Sequence, residues 1–116
     1  IISTKTVRIV RSASSKEFNR IIISVDSDNE DPNSVENRIK DMLKRAGEDI
    51  GRVCIIVFKP HIEILLLPQE NNPLDYLRTH ERYEKSDLPR RISSIDLDKV
   101  GKLESFQKIV RVLNDP

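Results

Sequence analysis

Two continuous apolar runs decide most of what this chain can become. IIISV occupies residues 21–25 and VCIIVF residues 53–58, both rich in β-branched side chains and both of strand length. Between them Val35, Ile39, Met42, Leu43 and Ala46 recur at spacings of four, three, one and three, which draws a single apolar stripe along a helix. Asp31 and Pro32 stand ahead of the stripe as N-cap and first helical residue, and Gly47 or Gly51 closes it. Strand, amphipathic helix and strand in that order predict a βαβ unit with parallel strands and a right-handed crossover. Neither run alternates with polar residues, so IIISV reads as a central strand covered on both faces.

The rest of the chain adds one candidate strand and a series of helices. TVRIV at residues 6–10 puts Val7 and Ile9 on one face and Arg8 on the other, the pattern of a strand exposed on one side. SASSKEFN then reads as a polar connection or one helical turn. Pro60 suits a helix start, which places a short helix over 61–67 in KPHIEILLLPQ. NPLDYLRTHERYEK predicts a surface helix with Leu74, Leu77 and Tyr76 inward. One or two further helices follow, and Leu103, Phe106, Val110 and Leu113, spaced three, four and three, define the inward face of the last. The class is α/β, a small, largely parallel sheet of three or more strands with flanking helices. A chain of 116 residues has room for one core, so residues 1–116 form a single domain whose C-terminal part, from about 73 to 116, is helical.

Charge and composition exclude several functions. The net charge of +1 supplies no global basic field, so the total charge does not argue for nucleic acid or membrane. No apolar stretch reaches the roughly 20 residues of a membrane span, and no signal peptide is visible. Cys54 is the single cysteine and lies inside an apolar run, where it reads as a small buried hydrophobe; without an internal disulfide the chain fits a reducing cytoplasm. Abundant Ile, Lys, Arg and Glu with two Gln lean toward a thermophilic source. Aromatic residues make up 4%, too few for a platform that stacks single-stranded bases.

The feature that bears on function is the end of the first apolar run. IIISVDSDNEDP places Asp26, Asp28, Glu30 and Asp31 within six residues, directly where the chain leaves the sheet. Like charges so close require a cation, a hydrogen-bonded turn or open water. Ligands of open α/β sheets bind outside the carboxyl ends of the strands, which is where these acids fall. Asp31 is accounted for as a helix cap, and Asp and Asn are common in turns. Asp26 follows five apolar residues, and a partly desolvated carboxylate there needs a partner. If the chain is still extended, Asp26 and Asp28 point the same way, and two hard oxygen donors suit Mg²⁺ or Mn²⁺.

Asp-x-Asp at a strand end occurs in phosphotransferases of the haloacid dehalogenase type, in nucleotide-sugar transferases and in Toprim domains. IIISVDSDNED, FKPHIEILLLPQ and YEKSDLPRRISSIDL with SFQKIV, in that order over roughly residues 5–113, resemble a Toprim-like protein of the small stand-alone prokaryotic kind, whose function is uncharacterised. The resemblance implies that Asp26 and Asp28 hold the divalent metal and that Glu63 faces the site as a catalytic or supporting carboxylate. It implies a nuclease or another phosphodiester-processing protein, with nucleic acid as the partner. A glutamate at the end of a first strand belongs to that pattern. TVRIVRSASS resembles the second strand, so the glutamate is expected before Ile1, and a start without Met agrees with a longer protein. Glu17 lies in the wrong place to substitute.

Other candidates are weaker in kind. Lys85, Arg90 and Arg91 are candidate phosphate contacts, as are Arg8, Arg11, Lys16 and Arg20 on the other flank, although scattered cations are ordinarily solvated surface. His61 reads as a first-turn surface histidine before it reads as a ligand. The competing functional expectation is a non-catalytic α/β interaction module in which the acids bind a metal or partner without turnover. A phosphatase-type enzyme with Asp26 as nucleophile is the third.

Overall fold

The computed structural model describes residues 8–11 and 20–114. Strand β1 (Ile21–Asp26) is followed by helix α1 (Pro32–Arg45) and strand β2 (Val53–Phe58). The strands pair in parallel, with Ile21 opposite Val53 and Asp26 opposite Phe58. The βαβ unit read from the two apolar runs is therefore present. After β2 come a 3₁₀ turn (Ile62–Leu65), helix α2 (Pro73–Glu81), a 3₁₀ turn (Lys85–Asp87), α3 (Leu88–Arg91), a further 3₁₀ turn (Ile92–Ser94), α4 (Leu97–Val100) and α5 (Glu104–Asn114).

Helix α1 begins and ends as its residues dictate. Asp31 is extended at φ −66°, ψ 127° and its side chain accepts from the Asn33 N–H, while Pro32 needs no partner for a missing N–H. Past the last turn, Gly47 at φ 79° adopts the left-handed conformation that a glycine takes without strain, and the Glu48 N–H closes on the Leu43 carbonyl. Replacing Asp31 by Ala is expected to cost ~1 kcal/mol. In a domain of this size that lowers the melting temperature by about 4 °C, which calorimetry would read directly.

Two cores lie on opposite faces of β2. Ile55 joins Val35, Ile39 and Leu43 of α1, together with Val10 and the inward side chains Ile21, Ile23 and Val25 of β1. Ile56 and Phe58 face the other way, onto Ile64, Leu65 and Val100, with Leu103, Phe106, Ile109 and Val112 packed around them. Leu74, Leu77 and Tyr83 form a third, smaller cluster.

Several sequence expectations are corrected. Among the described residues the sheet has two strands, not three or more. Residues 8–11 are helical, with Val10 buried and Ile9 exposed, so the strand expected over 6–10 does not hold there; residues 6 and 7 lie outside the described part, as do SASSKEFN and Glu17. The helix expected over 61–67 is a single 3₁₀ turn at Ile62–Leu65. Leu67 precedes Pro68, a position that disfavours helical backbone. Tyr76 points outward and stacks on His80 at 4.2 Å between ring centroids. Helix α5 forms as expected, but Phe106, Ile109 and Val112 make its inward face, leaving Val110 and Leu113 exposed.

Candidate functional site at the carboxyl ends of the strands

Strand alternation sets the direction of the first acid. Ile21, Ile23 and Val25 face α1, so Asp26 emerges on the opposite side, toward the segment that follows β2. The chain then turns. The Ser27 N–H donates to the Phe58 carbonyl and the Asp28 N–H to the Pro60 carbonyl, both at 2.9 Å, and Asp28 takes a left-handed φ of 55°. Aspartate tolerates that region better than most residues. The extended geometry that would have aimed Asp26 and Asp28 in parallel therefore ends at Asp26. Both carboxylates still reach the same stretch of chain, because the turn carries Asp28 across to His61.

Each of the four clustered acids has its own partner. Asp26 Oδ1 accepts from the Ile62 N–H at 2.8 Å, and its Oδ2 lies 3.8 Å from Lys85 Nζ. Asp28 Oδ1 is 3.0 Å from His61 Nε2. Glu30 pairs with Arg38 at 2.6 Å, and the guanidinium hydrogen bond holds its carboxyl below the usual range. Asp31 caps α1. Asp26, Asp28 and Glu30, with Arg38, also line one cleft of about 80 Å³ between β1 and α1, room for a few waters.

Glu63 is the most unusual residue of the fold. It is fully buried, the single charged side chain among the buried residues described. Lys85 Nζ donates to Oε1 at 2.7 Å and to Oε2 at 2.9 Å, and the Tyr83 hydroxyl donates to Oε2 at 2.8 Å. Burial pushes the Glu63 carboxyl up, but the Lys85 and Tyr83 hydrogen bonds outweigh it and leave the group below the usual carboxylate range. The same pairing, with burial as the first cause, pushes the Tyr83 hydroxyl far up, so it remains a donor. With both oxygens engaged, Glu63 anchors the Lys85 ammonium.

The structure thus brings Asp26, Glu63 and Lys85 together and sets Asp28 beside them through His61. Arg90 and Arg91 are engaged elsewhere, with Asp87 at 3.1 Å and Glu81 at 2.9 Å. Arg11 pairs with Glu48, and Arg20 donates to the Val112 carbonyl; Lys16 lies outside the described residues. Sequence reading missed Tyr83 as a partner of Glu63. Its signal was the spacing to Lys85: Glu84 between them is extended at φ −122°, ψ 154°, which turns residues two apart to the same side. Ser27, buried between the two aspartates in sequence, was missed as well.

The donor set fits a divalent cation in part. Mg²⁺ typically keeps several waters and takes one or two carboxylates, which Asp26 and Asp28 can supply. Two buried atoms have no hydrogen-bond partner and remain to be satisfied: Ser27 Oγ, between the two aspartates in sequence, and Nδ1 of His61, the ring whose Nε2 meets Asp28. Glu63 is fully buried with Lys85 and Tyr83 on its oxygens, so it meets the pair through the Lys85 ammonium. Among the described residues no group of three or more His, Cys, Asp or Glu is arranged to hold a metal ion, so a site here rests on two carboxylates. No protein-family model, curated protein or solved structure matches the chain. No helix of the described residues is long and apolar enough to cross a membrane.

Proposed function

We propose that the chain is a Toprim-like module that binds Mg²⁺ or Mn²⁺ through Asp26 and Asp28 and engages a phosphodiester. The reading is carried by one observation: the Asp26 and Asp28 carboxylates both meet the segment that follows β2, at the Ile62 N–H and at His61, beside the carboxyl ends of two parallel strands, the ordinary ligand position of such sheets. Asp26 would offer Oδ2, since Oδ1 is taken by the Ile62 N–H. Asp28 is mostly exposed and can exchange His61 for a metal. A bound divalent ion would supply Lewis acidity and neutralise phosphate charge. Lys85, held by Glu63 and half-exposed, is the cation best placed to meet a phosphate oxygen. Nucleic acid as the substrate, and hydrolysis as the reaction, rest on the resemblance in sequence.

A second reading, a non-catalytic module, is favoured by the closed state of Glu63, whose two oxygens are both engaged by Lys85 and Tyr83. Calorimetric titration with Mg²⁺ and Mn²⁺ tests the shared part of both. Saturable binding that is lost in Asp26→Asn/Asp28→Asn is expected. Equal and negligible binding by both proteins would overturn the metal site. Incubation of the metal-loaded chain with DNA and RNA then separates the two readings, since the module would bind metal and cleave neither.

A further inference from the structure

Of the two oxygens of Asp26, one is already committed to a backbone amide, so Oδ2 is the oxygen available to a metal. That oxygen is the one facing Lys85, whose ammonium stands 3.8 Å away, beyond hydrogen-bond reach but close enough for a strong charge interaction. The ammonium does not drift there. Glu63 grips it with both oxygens, the Tyr83 hydroxyl donates to one of them as well, and Glu63 has no exposure to solvent. Lys85 therefore has a defined resting place between a buried carboxylate and the carboxylate proposed to bind metal.

We infer that Lys85 is a tethered counter-ion that competes with the divalent cation for Asp26, and that the Glu63–Tyr83 seat sets how strongly it competes. The inference rests on the metal-binding reading above and assigns its regulation to three residues outside the ligand pair. A divalent ion at Asp26 has to accept a positive charge nearby or displace it toward Glu63. The seat favours the second course, because two hydrogen bonds to Glu63 remain when Asp26 is given up. Without the seat, the ammonium would turn fully to Asp26 and weaken metal binding.

The test is Mg²⁺ titration of three proteins, with the fold of each checked by its melting curve. Lys85→Met/Glu63→Gln removes one positive and one negative charge, leaves the net charge unchanged and keeps an acceptor for the Tyr83 hydroxyl. Its Mg²⁺ affinity is expected to rise about fivefold, the factor that a unit charge about 4 Å away exerts in bulk water. Glu63→Gln alone should lower the affinity, since Lys85 loses its anchor and moves onto Asp26. Lys85→Gln, which keeps a donor for Glu63, should raise it and serves if the double variant folds poorly. Unchanged or weaker binding by the double variant, beside binding by the parent chain, would overturn the competition and leave the metal site standing. Absence of binding in the parent and in every variant would remove the metal site and the competition together.

Discussion

Lys85→Met is expected to reverse the pH dependence that Glu63 contributes to stability. In the parent chain the Glu63 carboxyl is held below its ordinary value of 4.5. A carboxylate lowered on folding adds stability above its unfolded pKa and loses it as the pH falls through the folded one. Without Lys85, burial, the largest influence, is opposed only by the Tyr83 hydroxyl and the residue's own backbone N–H, so the carboxyl is expected to rise above its ordinary value. Stability contributed by a raised carboxyl is full below about pH 4.5 and is lost as the pH climbs. The variant should therefore fall furthest behind the parent at neutral pH and recover toward pH 4. Breaking a fully buried pair typically costs 3–5 kcal/mol. Here Lys85 is 47% exposed and water screens the pair, so about 2–3 kcal/mol at pH 7 is the expected loss. Urea unfolding of both proteins at pH 4 and pH 7 measures the gap at each. A gap of equal size at the two pH values would mean that Lys85 does not hold Glu63 ionised. Lys85→Met/Glu63→Gln should regain most of the loss, because it leaves no unpaired buried charge.

The reversal depends on a contact that the sequence signals only in outline. Glu63 could be seen as the lone charge of an apolar stretch, drawn inward by its neighbours, and Lys85 as one of several cations near the C-terminal helices. What joined them was the path of the chain. Arg82 ends α2 in a left-handed conformation, φ 53°, and the Tyr83 N–H bonds back to the Leu77 carbonyl. That turn delivers Tyr83 to the interior and, two residues on, Lys85 to Glu63. No periodicity announces a left-handed arginine. The βαβ unit was legible because its signals are local and redundant: an Asp-Pro start, a continuous apolar stripe, a glycine end and two β-branched runs. The acids were legible as a cluster but not in their pairings. Asp28 at positive φ broke the extended spacing assumed for Asp26 and Asp28, and His61, Arg38 and the Ile62 amide are partners set by tertiary approach. Leu103 and Phe106 pack as read, while the later half of the α5 face was read one step out of phase because Val110 and Leu113 extend the apolar pattern that Ile109 and Val112 bury.

The two apolar strands, alike in sequence, should respond very differently to truncation. Ile55 and Ile56 are neighbours on β2 with 2% and 1% exposure, and they face opposite cores. Ile55→Ala and Ile56→Ala are each expected to cost 2–5 kcal/mol, since each opens a cavity in a packed layer. Because the residues belong to different clusters, their costs also report separately on the α1 layer and on the α4 and α5 layer. Ile22 lies on β1, whose side away from α1 is not covered by those helices, and it is 47% exposed. Ile22→Ala removes similar atoms from a half-wet site and should cost about 1 kcal/mol. Denaturant midpoints of the three variants would rank them. If Ile22→Ala proved as costly as Ile56→Ala, the outer face of β1 would be covered in solution. Dependence of that cost on protein concentration would identify a second copy of the chain as the cover, and independence would place the cover within the chain itself. A low cost for Ile22 instead leaves IIISV covered on one face only, in spite of its composition. Burial on both faces is then a property of VCIIVF alone, conferred by the helices that follow it.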